Sequence, residues 1–153
     1  MTPARSDRNW MSGVAGEGIV TIGNPQLKAP AASVAVPGDV AELLASMVAG
    51  LRSLNGAGLA APQIGASVKV VVVEVRKTDV FPDRPECPLL QMINPVITAR
   101  SGSVLVDWEG CFSVPGLMGL VPRSETITVE YLDPSGRRVT GEYSGYVARV
   151  IQH

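Results

Sequence analysis

Residues 39–75 read DVAELLASMVAGLRSLNGAGLAAPQIGASVKVVVVEV, and this stretch decides the architecture. Val40, Leu43, Leu44, Met47, Val48, Leu51 and Leu54 recur at three- and four-residue steps. They form one apolar stripe at the helical period, which predicts a helix over 39–55. Asp39 is placed to cap its first amides, with Glu42 three residues on as in a capping box. Gly56 is placed to stop it after Asn55. Residues 56–65 read as a loop of small residues. Residues 68–75 are β-branched at nearly every position, as in a strand covered on both faces.

Downstream the pattern changes to strands. Apolar stretches occupy 89–96, closed by Asn94-Pro95, and 103–108. Over 126–132, Ile127, Val129 and Tyr131 alternate with Thr128 and Glu130, the mark of a half-buried strand. Asp133-Pro134-Ser135-Gly136 signals a turn, and 139–143 returns as the hairpin partner. Ser144 is placed to cap a last helix with Tyr146, Val147, Val150 and Ile151 on one face. Upstream, Ile19, Val20 and Ile22 precede a loop punctuated by Pro25 and Pro30. Residues 1–18 show no periodicity and read as a mobile N-terminal arm, and 19–153 as one domain. One long N-terminal helix followed by strands and a final short helix gives an α+β fold with mostly antiparallel sheets.

Composition narrows the function classes. The chain has 153 residues, 46% of them hydrophobic, which excludes a disordered chain. With 13 basic and 14 acidic residues it lacks the basic excess of a general nucleic-acid binder. No apolar run approaches the roughly 20 residues that span a membrane. Residues 1–16 lack the continuous apolar segment of a secretory signal. Two arginines against one acid in that stretch leave an organelle-targeting reading open. Cys87 and Cys111 do not make a disulfide framework, and a reducing compartment fits them best.

Three segments are candidates for chemistry. The 56–65 loop is followed by a strand, so it is neither a phosphate loop nor a dinucleotide fingerprint. It remains a close-approach loop, in which Gly56 and Gly58 let backbone near a ligand and Gln63 offers an amide. A glycine-rich turn without a ligand is the alternative. In Trp108-Glu109-Gly110-Cys111-Phe112-Ser113, Cys111 is a small buried residue, a nucleophile or a metal ligand. His153 is the only histidine. With Cys111 it can be written as a Cys–His nucleophile pair or as a thiolate–imidazole metal site, and spacing does not choose between them.

Taken together, the three segments resemble the peptide deformylases. The carriers are Gly56-Ala57-Gly58-Leu59-Ala60-Ala61-Pro62-Gln63, then Glu109-Gly110-Cys111-Phe112-Ser113, then Gln152-His153. Ile93-Asn94-Pro95 and Val121-Pro122-Arg123 extend the likeness, which covers about 19–153. It implies antiparallel sheets packed around a C-terminal metal-site helix. It also implies hydrolytic removal of the formyl group from N-terminal formyl-methionine of nascent polypeptides, with metal-activated water as nucleophile. Cys111 and His153 would be metal ligands for one divalent ion, Fe²⁺ first and Zn²⁺ second. Gln63 and the backbone N–H of Phe112 would be the catalytic oxyanion donors. Ala57, Gly58 and Leu59 would bind substrate. Glu109 and Arg123 would hold the Cys111 loop, or else form an ordinary surface ion pair. The implied setting is cytoplasmic. The partners would be formyl-methionyl nascent peptides and the ribosome exit region, with no membrane and no direct nucleic-acid contact.

Two departures stand out. Phe112 replaces a frequent leucine, which its backbone role should tolerate, and Tyr146 and Arg149 alter an otherwise aliphatic methionine pocket. The family's general acid/base Glu and second His would fall one and four positions after His153, where the sequence has stopped. Cys87 is a remote substitute ligand. Three readings follow: an incomplete deformylase chain, a catalytically inactive deformylase-like peptide-binding module, and a thiol enzyme using Cys111.

Overall fold

The apolar stripe of 39–55 does form a helix, but its ends differ from the expected ones. In the computed structural model, which describes residues 18–153, α1 spans Ala41–Ser53. A short 3₁₀ turn, Pro37–Val40, precedes it, and no side chain caps α1. Pro37 fits the first helical position and starts the turn early, so Asp39 lies inside it instead of capping. At the other end Asn55, not Gly56, takes the left-handed conformation with φ 53°. Gly56 donates its N–H to Leu51 O at 3.0 Å and closes the helix. The expected 1–18 arm lies outside the described residues, except for Gly18.

Residues 56–65 are more ordered than a loop. They hold a strand, β1 (Gly58–Ala60), and a 3₁₀ turn, Ala61–Ile64. Pairing supplies what glycine and alanine lack in strand propensity. Gly58, Leu59 and Ala60 pair antiparallel with Val73, Val72 and Val71 of β2 (Val70–Val75). Next come β3 (Cys87–Arg100), β4 (Val104–Cys111), β5 (Val114–Ser124), β6 (Thr126–Leu132), β7 (Arg138–Ser144) and α2 (Gly145–Gln152). Of these β5 had no counterpart in the sequence reading, because Pro115, Gly116, Gly119 and Pro122 hide it. Ser144 precedes α2 without capping it, and its hydroxyl meets Thr126 Oγ1 at 3.0 Å.

The strands make a five-stranded sheet in the order β1-β2-β3-β6-β7 and a separate β4-β5 hairpin. Every strand pair is antiparallel, so the fold is the α+β arrangement expected. The large sheet is buried on both faces. Val70, Val72 and Ile93 pack with Leu44, Met47 and Leu51 of α1. Met92, Ile127 and Val129 pack with Ala148 of α2, and Val71 joins them. The alternation along β2 explains its β-branched run. No helix among the described residues is long and apolar enough to cross a membrane.

Asn94-Pro95 does not end β3. The register with β6 shifts between Ile93 and Val96, so Pro95 sits in a bulge where it removes no ladder bond. Asn94 makes the bulge, with φ 52°. Its side chain accepts from Val34 N–H at 2.8 Å and donates to Val34 O at 2.9 Å. Asn94→Ala loses both bonds and forces a Cβ-bearing residue without a polar side chain into the left-handed region. The expected loss is about 2–4 kcal/mol. Asn94→Gly is expected to lose roughly 1 kcal/mol less, since glycine accepts that conformation. Urea unfolding of both variants checks this, and equal losses would remove the backbone part of the account.

Glu74 ties α1 to the sheet. It accepts two hydrogen bonds from Arg52 at 2.9 and 2.7 Å, and Arg76 lies 3.0 Å away. The Arg52 hydrogen bonds hold its carboxyl below the ordinary value of 4.5, against the opposing effect of burial. A depressed carboxyl stabilises the fold above its unfolded value and loses that contribution as pH falls through the folded one. Stability is therefore expected to decline below about pH 4.5, and Glu74→Gln should flatten that decline in pH-resolved unfolding curves.

Candidate active site

The β4–β5 hairpin turns tightly at Phe112-Ser113, which places Cys111 at its tip. Gln63 approaches from the 3₁₀ turn after β1. Its Oε1 accepts from Ala60 N–H at 2.9 Å. That bond fixes the amide and aims its NH₂ at Ser113 Oγ, 3.2 Å away, and Cys111 Sγ, 3.7 Å away. His153 follows the last turn of α2. Its Nδ1 lies 2.6 Å from Glu109 Oε1. A carboxylate acceptor keeps a hydrogen on Nδ1 and leaves Nε2 as the nitrogen that can serve a metal.

Glu109 organises this cluster. Arg123 donates to both of its oxygens, at 2.9 and 2.8 Å. Arg149 donates to Oε2 at 2.7 Å and also to Val121 O and Leu105 O. The Glu109 side chain is 7% exposed, so the surface-pair reading is set aside. Burial alone pushes its carboxyl up, but the Arg123 and His153 hydrogen bonds bring it down to about 2. Arg149 lines the cavity, and its guanidinium ties α2 to the hairpin. The signal was present in the sequence as an arginine among the apolar residues of the last helix. Of those residues, Tyr146, Val147, Val150 and Ile151 are only half-buried, while Ala148 and Arg149 are buried.

Cys111 and His153 are neighbours in the cavity. Burial raises the Cys111 thiol, and hydrogen bonds from His153 and from the Ser113 amide outweigh it and lower the thiol. The Cys111 bond raises the His153 imidazole, against burial. A sulfur and a ring nitrogen thus converge, a donor pair that suits Zn²⁺ or Fe²⁺. They fit two positions of a divalent site. Among the described residues no group of three or more His, Cys, Asp or Glu side chains is placed to hold a metal ion. Cys87 does not join them. It starts β3 opposite Val75 of β2, and its thiol meets Pro88 O at 3.4 Å.

The seven residues that the resemblance implies as metal ligands, catalytic donors and substrate contacts border one cavity of about 470 Å³. They are Ala57, Gly58, Leu59, Gln63, Cys111, Phe112 and His153. Two have roles the sequence reading did not see. Phe112 contributes its ring as well as its backbone. It is buried in the core under α1, and a Cβ on Gly56 would lie 2.6 Å from the ring. Gly58 is bare because of α2, since a Cβ there would lie 2.7 Å from Val150 Cγ1. Leu59 belongs to the core with Leu44, Met47 and Leu51. Arg84, from the β2–β3 connection, also lines the cavity and was not anticipated, because only prolines and acids surround it in sequence.

Comparison with known proteins agrees with this geometry. The family model described as polypeptide deformylase matches residues 17–153. Peptide deformylase 1 of Nitrosomonas europaea is 40% identical over 137 residues, 88% of this chain and 78% of that protein. Peptide deformylase 2 of Bordetella bronchiseptica is 41% identical over 138 residues, again 88% and 78%. Among solved structures, a class I type b peptide deformylase of Acinetobacter baumannii superposes with a TM-score of 0.85. It is 35% identical, with 89% of this chain and 88% of that one covered. A Met-Ala-Ser-bound structure of the Acinetobacter baumannii enzyme gives 0.83 at 36% identity, covering 88% and 87%. The chain belongs to the polypeptide deformylase family.

Proposed function

We propose that residues 19–153 act as one deformylase domain that hydrolyses the formyl amide of formyl-methionyl nascent peptides. The observation that carries this reading is the convergence of Gln63, Cys111 and His153 on a cavity bordered by β1. Water adds to the formyl carbon, the carbon–nitrogen bond breaks, and formate and a free amino terminus leave. Cys111 and His153 would hold a divalent ion, Fe²⁺ first and Zn²⁺ second. When bound, such an ion lowers the pKa of water and polarises the carbonyl.

The chain's own groups supply the rest. β1 is an edge strand. An extended peptide adds to such an edge through main-chain hydrogen bonds, with Ala57, Gly58 and Leu59 as its partners. Gln63 is held by Ala60 with its NH₂ facing Cys111, so it donates to the oxygen on which charge develops. The backbone N–H of Phe112, next to Cys111, is the second donor. Each such donor is worth a few kcal/mol in the transition state. Glu109 holds His153 in one tautomer. A reducing, cytoplasmic setting keeps Cys111 as a free thiol, and nascent peptides are met near the ribosome exit.

The test is formate release from formyl-Met-Ala-Ser. A chain carrying the complete His-Glu-x-x-His motif and loaded with Fe²⁺ without oxygen is expected to release it. Chelation should abolish the activity. Absence of release would remove the reading, and tight peptide binding without turnover would support the inactive binding module instead. Loss of activity to a thiol reagent with indifference to chelators would favour the thiol enzyme. In the active chain Gln63→Ala should lower kcat about 10²–10³-fold with little change in KM.

Glu109 gives a separate expectation. Glu109→Gln keeps the shape but leaves Arg123, Arg149 and His153 around a neutral acceptor. Divalent-metal affinity should weaken about 10–100-fold. Competition with a chromophoric chelator measures it, and an unchanged affinity would show that Glu109 only supports the fold.

A further inference from the structure

Arg84 is a buried cation that the deformylation chemistry does not use. The residue is 4% exposed and lines the same cavity as Gly58 and Tyr146. One face of its guanidinium lies 3.8 Å from the centroid of the Phe81 ring. Nη1 donates to Asn55 O at 2.7 Å. Tyr146 is its other polar neighbour. Both partners are neutral. No salt bridge to a carboxylate forms at Arg84 among the described residues, and Arg76 adds a like charge. Its Nε is buried without a hydrogen-bond partner.

That arrangement differs from the other buried arginine. Arg149 is neutralised by Glu109 and satisfied by two carbonyls. Burying a charge without a counter-charge is costly, and an unmade buried donor adds to the cost. The Phe81 ring and the Asn55 carbonyl hold the Arg84 fork in one orientation, so little side-chain freedom remains to be lost on binding. The one carboxylate in the cavity lining, Glu109, is already engaged by Arg123, Arg149 and His153. A carboxylate is the group that supplies the missing charge.

We propose that Arg84 forms an anion subsite in the peptide cavity, whose guanidinium receives a carboxylate of the bound formyl-methionyl peptide. This rests on the peptide-binding reading above and deepens it to a substrate class. The carboxylate can come from an acidic side chain after the methionine or from the free end of a very short peptide. Arg84 is then a specificity-determining residue that selects among substrates without touching the reacting carbon.

The test uses the 153-residue chain and peptide titrations followed by nitrogen-15 NMR at low salt. The pairs are formyl-Met-Glu-amide against formyl-Met-Gln-amide, and formyl-Met-Ala acid against its amide. The anionic member of at least one pair is expected to bind about tenfold more tightly. It should move the Arg84 Nε–Hε resonance, assigned by its loss in Arg84→Lys, and the responding pair identifies the source. The preference should weaken as salt rises, and Arg84→Lys should cut it to about threefold or less. Equal affinity within both pairs, or an unmoved Nε–Hε resonance, overturns the subsite while leaving the peptide site intact. A preference that persists unchanged in Arg84→Lys also overturns it. Absence of binding by all four peptides overturns the subsite and the peptide-binding reading together.

Discussion

The buried carboxylate of Glu109 is the constraint on which the site depends. Its two oxygens take hydrogen bonds from Arg123 on β5, Arg149 on α2 and His153 after α2. A carboxylate this far from water is tolerable only with its lone pairs satisfied by charged donors. Once they are, three elements distant in sequence are held to one atom pair. The β4–β5 hairpin shares few contacts with the large sheet and belongs to neither of the two apolar cores except through Phe112. Electrostatics therefore does for this hairpin what hydrophobic packing does elsewhere. The same carboxylate sets the His153 ring, so the fold's cross-link and the site's alignment are one interaction.

Second to this is a steric interlock. A Cβ at Gly56 would strike the Phe112 ring, and one at Gly58 would strike Val150. Phe112 brings the hairpin tip down onto α1, and Val150 brings α2 onto β1. The backbone of β1 is thereby pressed between hairpin and helix. Gln63 then reaches Cys111 with a side chain only three bonds longer than alanine's. The site's geometry follows from close packing of small residues against large ones.

What the sequence revealed had a physical logic. Period signals survived where burial is one-sided or complete: the α1 stripe, the β2 run and the β6 alternation. Cap predictions at Asp39 and Ser144 failed, because Pro37 and the Thr126 hydroxyl offered alternatives that lie outside a local window. β1 and β5 were illegible, since glycine, alanine and proline carry no strand signal and pairing alone imposes the conformation. Motif residues could be named in sequence, but the reasons for several of them could not. Val150 is a reason for the bare Gly58 that no motif shows. Phe112 is a core anchor whatever its backbone does. Reasons of this kind are hidden when residues are read one at a time, because a close approach is a property of two of them.

The two buried arginines show how far charge can be read as intent. Arg149 sits where α2 crosses the hairpin, and every contact it makes is internal. Its positive charge is cancelled by Glu109, and its role ends with the fold. Arg84 is as buried, but its contacts are neutral and its Nε faces no acceptor. If Arg84 served only to fill space over Phe81, an uncharged side chain of similar length would do so without the cost of burying an uncompensated charge. The asymmetry between the two is energetic and not merely geometric. One arginine has its counter-charge inside the protein, and the other has a cavity where a counter-charge can enter. A cavity that takes peptide from an edge strand brings carboxylates with some of its ligands, so the complement that Arg84 lacks in the fold is one that substrate can carry in.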